Sequence, residues 1–330
     1  MRPCFQYLFP LLCVFLLNAC SNDLDVLGNY EENASVYCLL DPNQTWQFIK
    51  INKVFVNPNA KAGDVAKIAD SLYFDSIKPE IVELETGRRI SLQKANIALK
   101  DSGYFANSPN YIYVTNQRIY NIYTYQFEMT LPQTGKKVVA KTNIVNTPFV
   151  AYPVSPAQRI ISIQTTSSIQ IQFQAPKKGK IYDAYFHFNY TEIDKFDTSI
   201  KTDKTIAWKI LRSYPSISEL GNEFVFQRVS GIMFYDQLLG NIPVNPNVMR
   251  KFKTCAFELV SGNLELDNYI QASTPSIGIV QKQSEYTNVS NGIGIFASRN
   301  TYYIDEVSLS ETTKNVIVGT ADYKVLGFVK

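Results

Sequence analysis

From Ala34 to about Phe149 the apolar residues recur in short, alternating runs of the kind that build half-buried strands. Ser35–Leu40 is one such run, and Trp46–Val56 is another, with Phe48, Ile49, Ile51, Val54 and Val56 at its apolar positions. Asp75–Leu92 reads as a hairpin turning at Thr86-Gly87, and Ile122–Val145 as a second one turning at Pro132–Gly135. Tyr111–Thr115 is a further strand, and Asn59–Leu72 is a short helix or loop between strands. Prolines at 148, 153 and 156 then mark a joint. Beyond it, Ser168–Gln174 alternates cleanly, with Ile169, Ile171 and Phe173 on one face and glutamines on the other. Ile181–Tyr190 and Lys253–Val260 continue the strand pattern. Between them Leu220, Phe224, Val225, Val229, Ile232, Met233 and Leu239 approximate a helical stripe over 218–239, with Ser218 as its N-cap, and Asn263–Ala272 is a second helical segment. The expected fold is mainly β. An immunoglobulin-like β-sandwich over 34–150 is followed by a β-rich α+β domain with one or two helices over 151–330.

The first twenty residues obey a different rule. One positive charge, Arg2, precedes an apolar run from about Leu8 to Leu17, too short to span a bilayer and laid out as a secretory signal peptide over 1–19. Leu17-Asn18-Ala19-Cys20 resembles a bacterial lipobox, although Asn18 departs from the usual small or aliphatic residue. That resemblance implies lipid on Cys20 and attachment to the outer membrane, with 20–33 as lipidated cysteine and polar tether. Several acyl chains on one cysteine make a permanent anchor, since each buried CH2 contributes about 0.8 kcal/mol. Ser21, Asn22, Asp23 and Asp25 form a polar, acidic stretch that resembles the export signal of surface lipoproteins in Bacteroidetes; a plain solvated tether would have the same composition.

Composition narrows the chemistry. Lys+Arg 32 against Asp+Glu 29 leaves +3, or 31 − 29 = +2 once Arg2 departs with the leader, so nucleic acid is not an expected partner. A single histidine, His187, leaves little scope for His-based triads or metal sites, and it lies among aromatics in a strand, where packing is its ordinary role. With Cys4 and Cys13 in the leader and Cys20 lipidated, Cys38 and Cys255 remain, read as two separate buried thiols rather than a disulfide. Gly292–Ala297 satisfies the letters of a dinucleotide fingerprint, but residues 298–307 read as loop and strand, not as the helix that the pyrophosphate needs. Glu192, Asp194, Asp197 and Asp203 are interleaved with lysines, as in a solvated connection. No catalytic residue, metal or cofactor is expected.

The tyrosines offer more. Tyr111, Tyr113, Tyr120, Tyr123 and Tyr125 fall within 15 residues, beside Asn110, Asn116 and Asn121. Exposed, they would stack on a glycan or grip a peptide; inward, they would be core and cross-strand packing. Three short stretches, Tyr286–Ser298, Tyr37–Pro42 and the Tyr125–Thr142 hairpin, resemble an uncharacterised family of Bacteroidetes outer-membrane lipoproteins encoded beside TonB-dependent receptors. The resemblance spreads over 34–298. It implies a surface-anchored, non-enzymatic accessory lipoprotein that works with a receptor barrel in nutrient uptake, binding a small ligand or capping the transporter. A fimbria-like or adhesive structural protein is the alternative.

Overall fold

The structure is a computed structural model that describes residues 32–54, 62–97, 106, 108–274 and 285–330. Eight strands build the first unit: β1 (Asn33–Leu40), β2 (Gln47–Val54), β3 (Glu80–Glu83), β4 (Arg89–Ser91), β5 (Gln93–Asn96), β6 (Tyr111–Thr115), β7 (Thr124–Thr130) and β8 (Lys137–Asn143). They form two facing sheets, ordered β1-β2-β6-β5 and β8-β7-β3-β4. With the strands lettered in chain order this is A-B-E-D packed on G-F-C-C′, the immunoglobulin-like arrangement. Alternation explains the register. In β1, Ala34, Val36, Cys38 and Leu40 point into the core while Tyr37 points out. The two expected hairpin turns sit at Gly87 (φ 73°) and Gly135 (φ 69°), a backbone conformation that costs glycine little. Tyr125 adds a corner: its buried hydroxyl accepts from the backbone N–H of Tyr120 (2.9 Å) and donates to Glu83 (2.9 Å). Glu83 also accepts from Thr86 (2.8 Å) and pairs with Arg88.

The remaining strands are β9 (Phe149–Tyr152), β10 (Ile160–Ile161), β11 (Ser168–Gln174), β12 (Ile181–Asp194), β13 (Lys201–Pro215), β14 (Phe224–Ser230), β15 (Val248–Phe252), β16 (Cys255–Gly262), β17 (Val289–Ser290), β18 (Ile293–Leu309) and β19 (Phe328–Val329). All but β17, which returns to the edge of the β8-β7-β3-β4 sheet, build the second unit in whole or in part. A large antiparallel sheet centred on β13-β12-β16-β18 faces a small one, β14-β11-β9, across an aromatic core that includes Phe173, Tyr182, Phe186, Phe188, Phe234 and Phe257. The mainly β expectation holds, with corrections in the helices. The stripe over 218–239 is not one helix. Its first part is β14, paired residue by residue with β11 from Ser168↔Ser230 to Gln174↔Phe224, and the helix runs only from Ile232 to Asn241. Cross-strand pairing outweighs the weak local periodicity, and Ser218 accepts from the Leu220 N–H at a bend instead of capping a helix. Gly231 divides the two elements, because a Cβ there would lie 2.0 Å from the Gln164 carbonyl oxygen. The expected second helical segment is the helix Leu264–Ser273; its cap is Asn263, whose side chain accepts from the Leu266 N–H (3.2 Å). Two further helices, Glu311–Gly319 and the short Ala321–Lys324, exceed the expected one or two; the first buries only Thr313 and Ile317, so its apolar stripe is thin.

The strand β18 joins the units. Residues 293–298 run parallel to β1, and residues 299–307 run antiparallel to β16. On one face of this strand Phe296 enters the first core, Ser298 and Asn300 are buried between the units, and Ile304 enters the second core. The expected loop after Ala297 is therefore continuous strand. The preceding β17 pairs with β8, so the segment 289–298 lies along both β8 and β1 of the first sandwich and Val289 joins its core. Gly294 (φ 109°) is the point of closest approach, where a Cβ would sit 2.2 Å from the Val36 carbonyl oxygen. The glycines of the fingerprint letters thus serve strand packing.

Substitution tests both the close approach and the corner. Gly294→Ala lowers unfolding free energy by more than about 1 kcal/mol, because alanine fits neither the φ nor the space; an unchanged urea midpoint would contradict the close approach. For Glu83, burial raises the carboxyl pKa, but hydrogen bonds from Arg88, Thr86 and Tyr125 outweigh it and hold the pKa below the ordinary range. Its stabilising contribution is therefore complete above the unfolded carboxylate pKa and is lost as pH falls through the lower folded value. Acid titration should show Glu83→Gln with a flatter loss of stability than the parent below about pH 4; parallel curves would show that Glu83 contributes nothing to acid stability.

Candidate functional site

From Ile293 to Asp305 the odd-numbered residues of β18 lie outside both cores, with Ile295 and Ala297 buried and Ile293 and Tyr303 exposed, while beyond Glu306 (φ 54°) Val307 and Leu309 turn into the second core. The outer surface of this stretch is shared by the sheets of the two units. Three cavities lie along it. The first, about 330 Å³, is lined by Tyr37, Tyr269, Tyr286 and Ile293, where the helix Leu264–Ser273 packs on β18. Tyr37 meets Tyr269 edge-on at 6.4 Å. The second, about 290 Å³, is bounded by Gln44, Trp46, Phe48 and the Asp41–Arg299 ion pair (3.4 Å). The third, about 500 Å³, lies between Asn43, Gln44 and Thr147 on one side and Glu258, Thr301 and Tyr303 on the other. Tyr37, Trp46, Phe48 and Tyr303 are 41–54% exposed, which is unusual for side chains of this size gathered in one band.

The strand pairing sets the chemistry of the third cavity. Tyr303 is opposite Glu258, and Glu258 is opposite Tyr185, so the three share one row of the outer face. His187 stands one step along: its Nε2 is 2.7 Å from Glu258 Oε2, its ring stacks on Tyr185 at 6.2 Å, and Tyr303 lies 6.0 Å away. Lys209 extends the row, bonding Asp183 (2.6 Å) and lying over the Tyr185 ring at 5.4 Å. Burial, then the charges of Glu258 and Asp305, raise the Tyr303 phenol, and burial followed by Tyr269 raises Tyr37, so both remain neutral hydrogen-bonding hydroxyls. The result is a ring platform beside a carboxylate, amides and hydroxyls, suited to a polar ligand that also has apolar faces.

Beneath this surface lies a buried polar seam. Asn300 donates to the Val145 carbonyl (3.2 Å) and accepts from Asn43 (3.0 Å). Ser298 donates to the Asn143 carbonyl (2.6 Å) and accepts from the Val145 N–H (3.2 Å). Asn263 donates to Thr142 (2.7 Å), and Asp41 accepts from Thr301 (2.7 Å). These bonds fix the two units against each other and hold the walls of the third cavity.

The expected tyrosine patch does not assemble. Tyr113 and Tyr125 are buried in the first core, and burial raises both phenols; they are structural, because their strands place those positions inward. Tyr111 packs edge-on against Tyr73 (5.1 Å) under Lys94 at the start of β6. Tyr120 and Tyr123 meet at 6.1 Å in the loop beyond its end, with Arg118 over the Tyr120 ring. Cys20, Ser21, Asn22, Asp23 and Asp25 lie outside the described residues. The acidic residues are dispersed. Glu192 pairs with buried Arg250 (2.7 Å), Asp203 with Lys253 (2.6 Å), and Asp194 and Asp197 accept backbone N–H bonds at the β12–β13 turn. Cys38 and Cys255 are free, each buried in a different core, with thiols raised by burial, Cys255 to about 12. Among the described residues no three His, Cys, Asp or Glu side chains converge on a metal position, and no helix is long and apolar enough to cross a membrane.

Parity could have revealed part of the band. Val36 and Cys38 point inward, so Tyr37 must point outward, and Ile49 and Ile51 do the same for Phe48. Tyr269, Glu258 and Tyr303 carried no such signal, since their meeting depends on the path of β18.

No protein-family model matches the chain, and no curated protein matches it in sequence. Among solved structures, the chain is similar to the C-terminal globular domain of an oligosaccharyltransferase from Pyrococcus abyssi, at 9% identity and a TM-score of 0.25. That alignment covers 68% of this chain and spans 47% of the other, about half its length. A TM-score this low carries no argument about fold or function.

The two faces of β18 give opposite expectations for neighbouring residues. Asn300→Ala should cost about 1–3 kcal/mol by leaving seam partners unsatisfied. Tyr303→Ala should stay within about 0.5 kcal/mol, because an exposed ring holds nothing in place. Urea denaturation of the two variants measures both, and equal losses would contradict the assignment of the faces.

Proposed function

We propose that this chain is a surface-anchored, non-enzymatic accessory lipoprotein of a TonB-dependent nutrient-uptake system. Lipid on Cys20 holds it to the outer membrane, the residues from 21 give it reach up to Glu32 and Asn33, and the folded units present a binding surface to ligand and receptor barrel. Glu32 and Asn33 already belong to the fold, through a hydrogen bond from the Gln133 N–H to Glu32 (2.8 Å) and the start of β1. The observation that carries the reading is the band of exposed aromatic side chains along the outer face of β18, opening on three cavities at the junction of the units. Large exposed rings beside amides and a carboxylate are costly to leave in water and suit recognition. The state of the reactive groups supports binding over catalysis. His187 is engaged by Glu258 and two tyrosine rings, and both described thiols are buried and neutral.

One detail weighs against the fimbria-like alternative. Subunits that polymerise by strand donation need an open sheet edge. Here residues 289–298 already run along β1 and β8 from within the same chain.

Affinity purification of the tagged protein from gently solubilised outer membrane, read by mass spectrometry, tests the proposal. A receptor barrel in stoichiometric amount is expected, and Cys20→Ala should move the protein out of the membrane fraction. Recovery of further copies of the chain, or of fimbrial subunits without a barrel, would overturn the uptake reading.

A further inference from the structure

The small sheet β14-β11-β9 turns one face to the second core and the other to solvent. Inward go Val150, Ile169, Ile171, Phe173 and Val225. The outward face has two rows set by the strand register. Phe149, Gln174 and Phe224 form one, and Tyr152, Gln172 and Phe226 form the next. Adjacent strands stand about 4.8 Å apart, so each glutamine lies between two aromatic side chains. The rings are open to solvent: Phe149 is 66% exposed, Phe224 63%, Phe226 44% and Tyr152 43%. The glutamines are preorganised, Gln170 donating to Gln172 (2.9 Å) and Gln174 to the Gly221 carbonyl (3.0 Å). The next outward position on β14 is Arg228, whose guanidinium packs over Phe226 at 5.2 Å.

We propose that this face is a binding site for a neutral glycan chain, lying along the glutamine track between the two flanks of rings. Three features select that class. The track is built from uncharged amides, each offering donors and an acceptor, which match hydroxyl groups, and the positive charges of Arg228 and Lys177 stand only at its two ends. The backbone groups of the central strand β11 are bonded to β9 and β14, so a peptide cannot add as a strand on this face. The layout also inverts a protein interface, where an apolar centre is ringed by polar residues; here the polar track is central and the apolar rings flank it. A sugar chain, with hydroxyl edges and apolar C–H faces, fits that order.

The face ends in a pocket that supports the same ligand. A cavity of about 270 Å³ is bounded by Phe149, Gln174, Lys177, Gly221 and Asn146. Asn146 carries a buried Oδ1 atom with no hydrogen-bond partner among the described residues. This inference rests on the sheet face alone and holds whether or not a barrel co-purifies.

Native affinity electrophoresis of the full-length, detergent-solubilised protein tests it, in gels containing starch, hydroxyethylcellulose, xylan or galactomannan, with polygalacturonate and heparin as charged comparisons. Retardation by at least one neutral polymer is expected. Phe224→Ala/Phe226→Ala and, separately, Gln172→Ala should weaken it about tenfold or more at an unchanged thermal midpoint. If the double variant lowers that midpoint, Tyr152→Ala on the opposite flank provides the reading. Unchanged migration in every neutral gel, equal retardation of parent and variants, or retention by polyanions only would overturn the proposal. Loss of a co-purifying protein in the double variant without any neutral-polymer retardation would also overturn it, and assign the face to a protein partner.

Discussion

Everything in this molecule is referred to β18, which has to satisfy two hydrophobic cores at once. Its inward residues change character along the strand: Phe296 is apolar for the first core, Ser298 and Asn300 are polar at the junction, and Ile304 is apolar for the second. A strand crossing between units would ordinarily expose backbone groups at the crossing. Here it pairs with β1 up to Ser298 and with β16 from Arg299, so its ladder continues from one unit into the other. The polar side chains at the crossing bond the segment 142–147, where the first sandwich ends. Such a network is directional: apolar side chains would tolerate sliding, whereas these bonds specify one relative placement.

The outer face inherits that placement. Tyr303 meets Glu258 and His187 only because β18 lies beside β16, and Tyr37 meets Tyr269 only because the helix capped by Asn263 packs on the same strand. The band of rings is therefore a product of the junction, while the glutamine face belongs to the second unit alone. The two surfaces differ in chemistry as well. The junction has a carboxylate, a histidine and an ion pair among its rings, whereas the small sheet offers amides and rings with Arg228 at one end.

Much of the fold was legible where one strand determines its own faces. β1, β2, β11 and β12 alternate, and Gly87 and Gly135 mark turns whose φ values favour glycine. The sequence misled where the deciding contact is distant. Phe224 to Ser230 resembles a helical stripe, yet seven pairings with β11 hold it extended. Tyr113 and Tyr125 belong to a tyrosine-rich segment, but strand parity sends both inward, and Tyr125 becomes a corner bonding Glu83. Gly292 and Gly294 look like a phosphate loop in letters and act as a close approach to β1. For the candidate surfaces, alternation around Ile169, Ile171 and Phe173 already placed the glutamines outward. That rings flank them could be known only from the partners of β11.

The central claim is that one strand makes two cores a single cooperative unit, and native-state hydrogen exchange tests it most directly. Amides of β1 and of β16, on either side of β18, should exchange with the same opening free energy and the same denaturant dependence. Exchange of β1 and β2 at a markedly lower free energy, with β16 still protected, would mean that the first sandwich opens alone and would contradict the account.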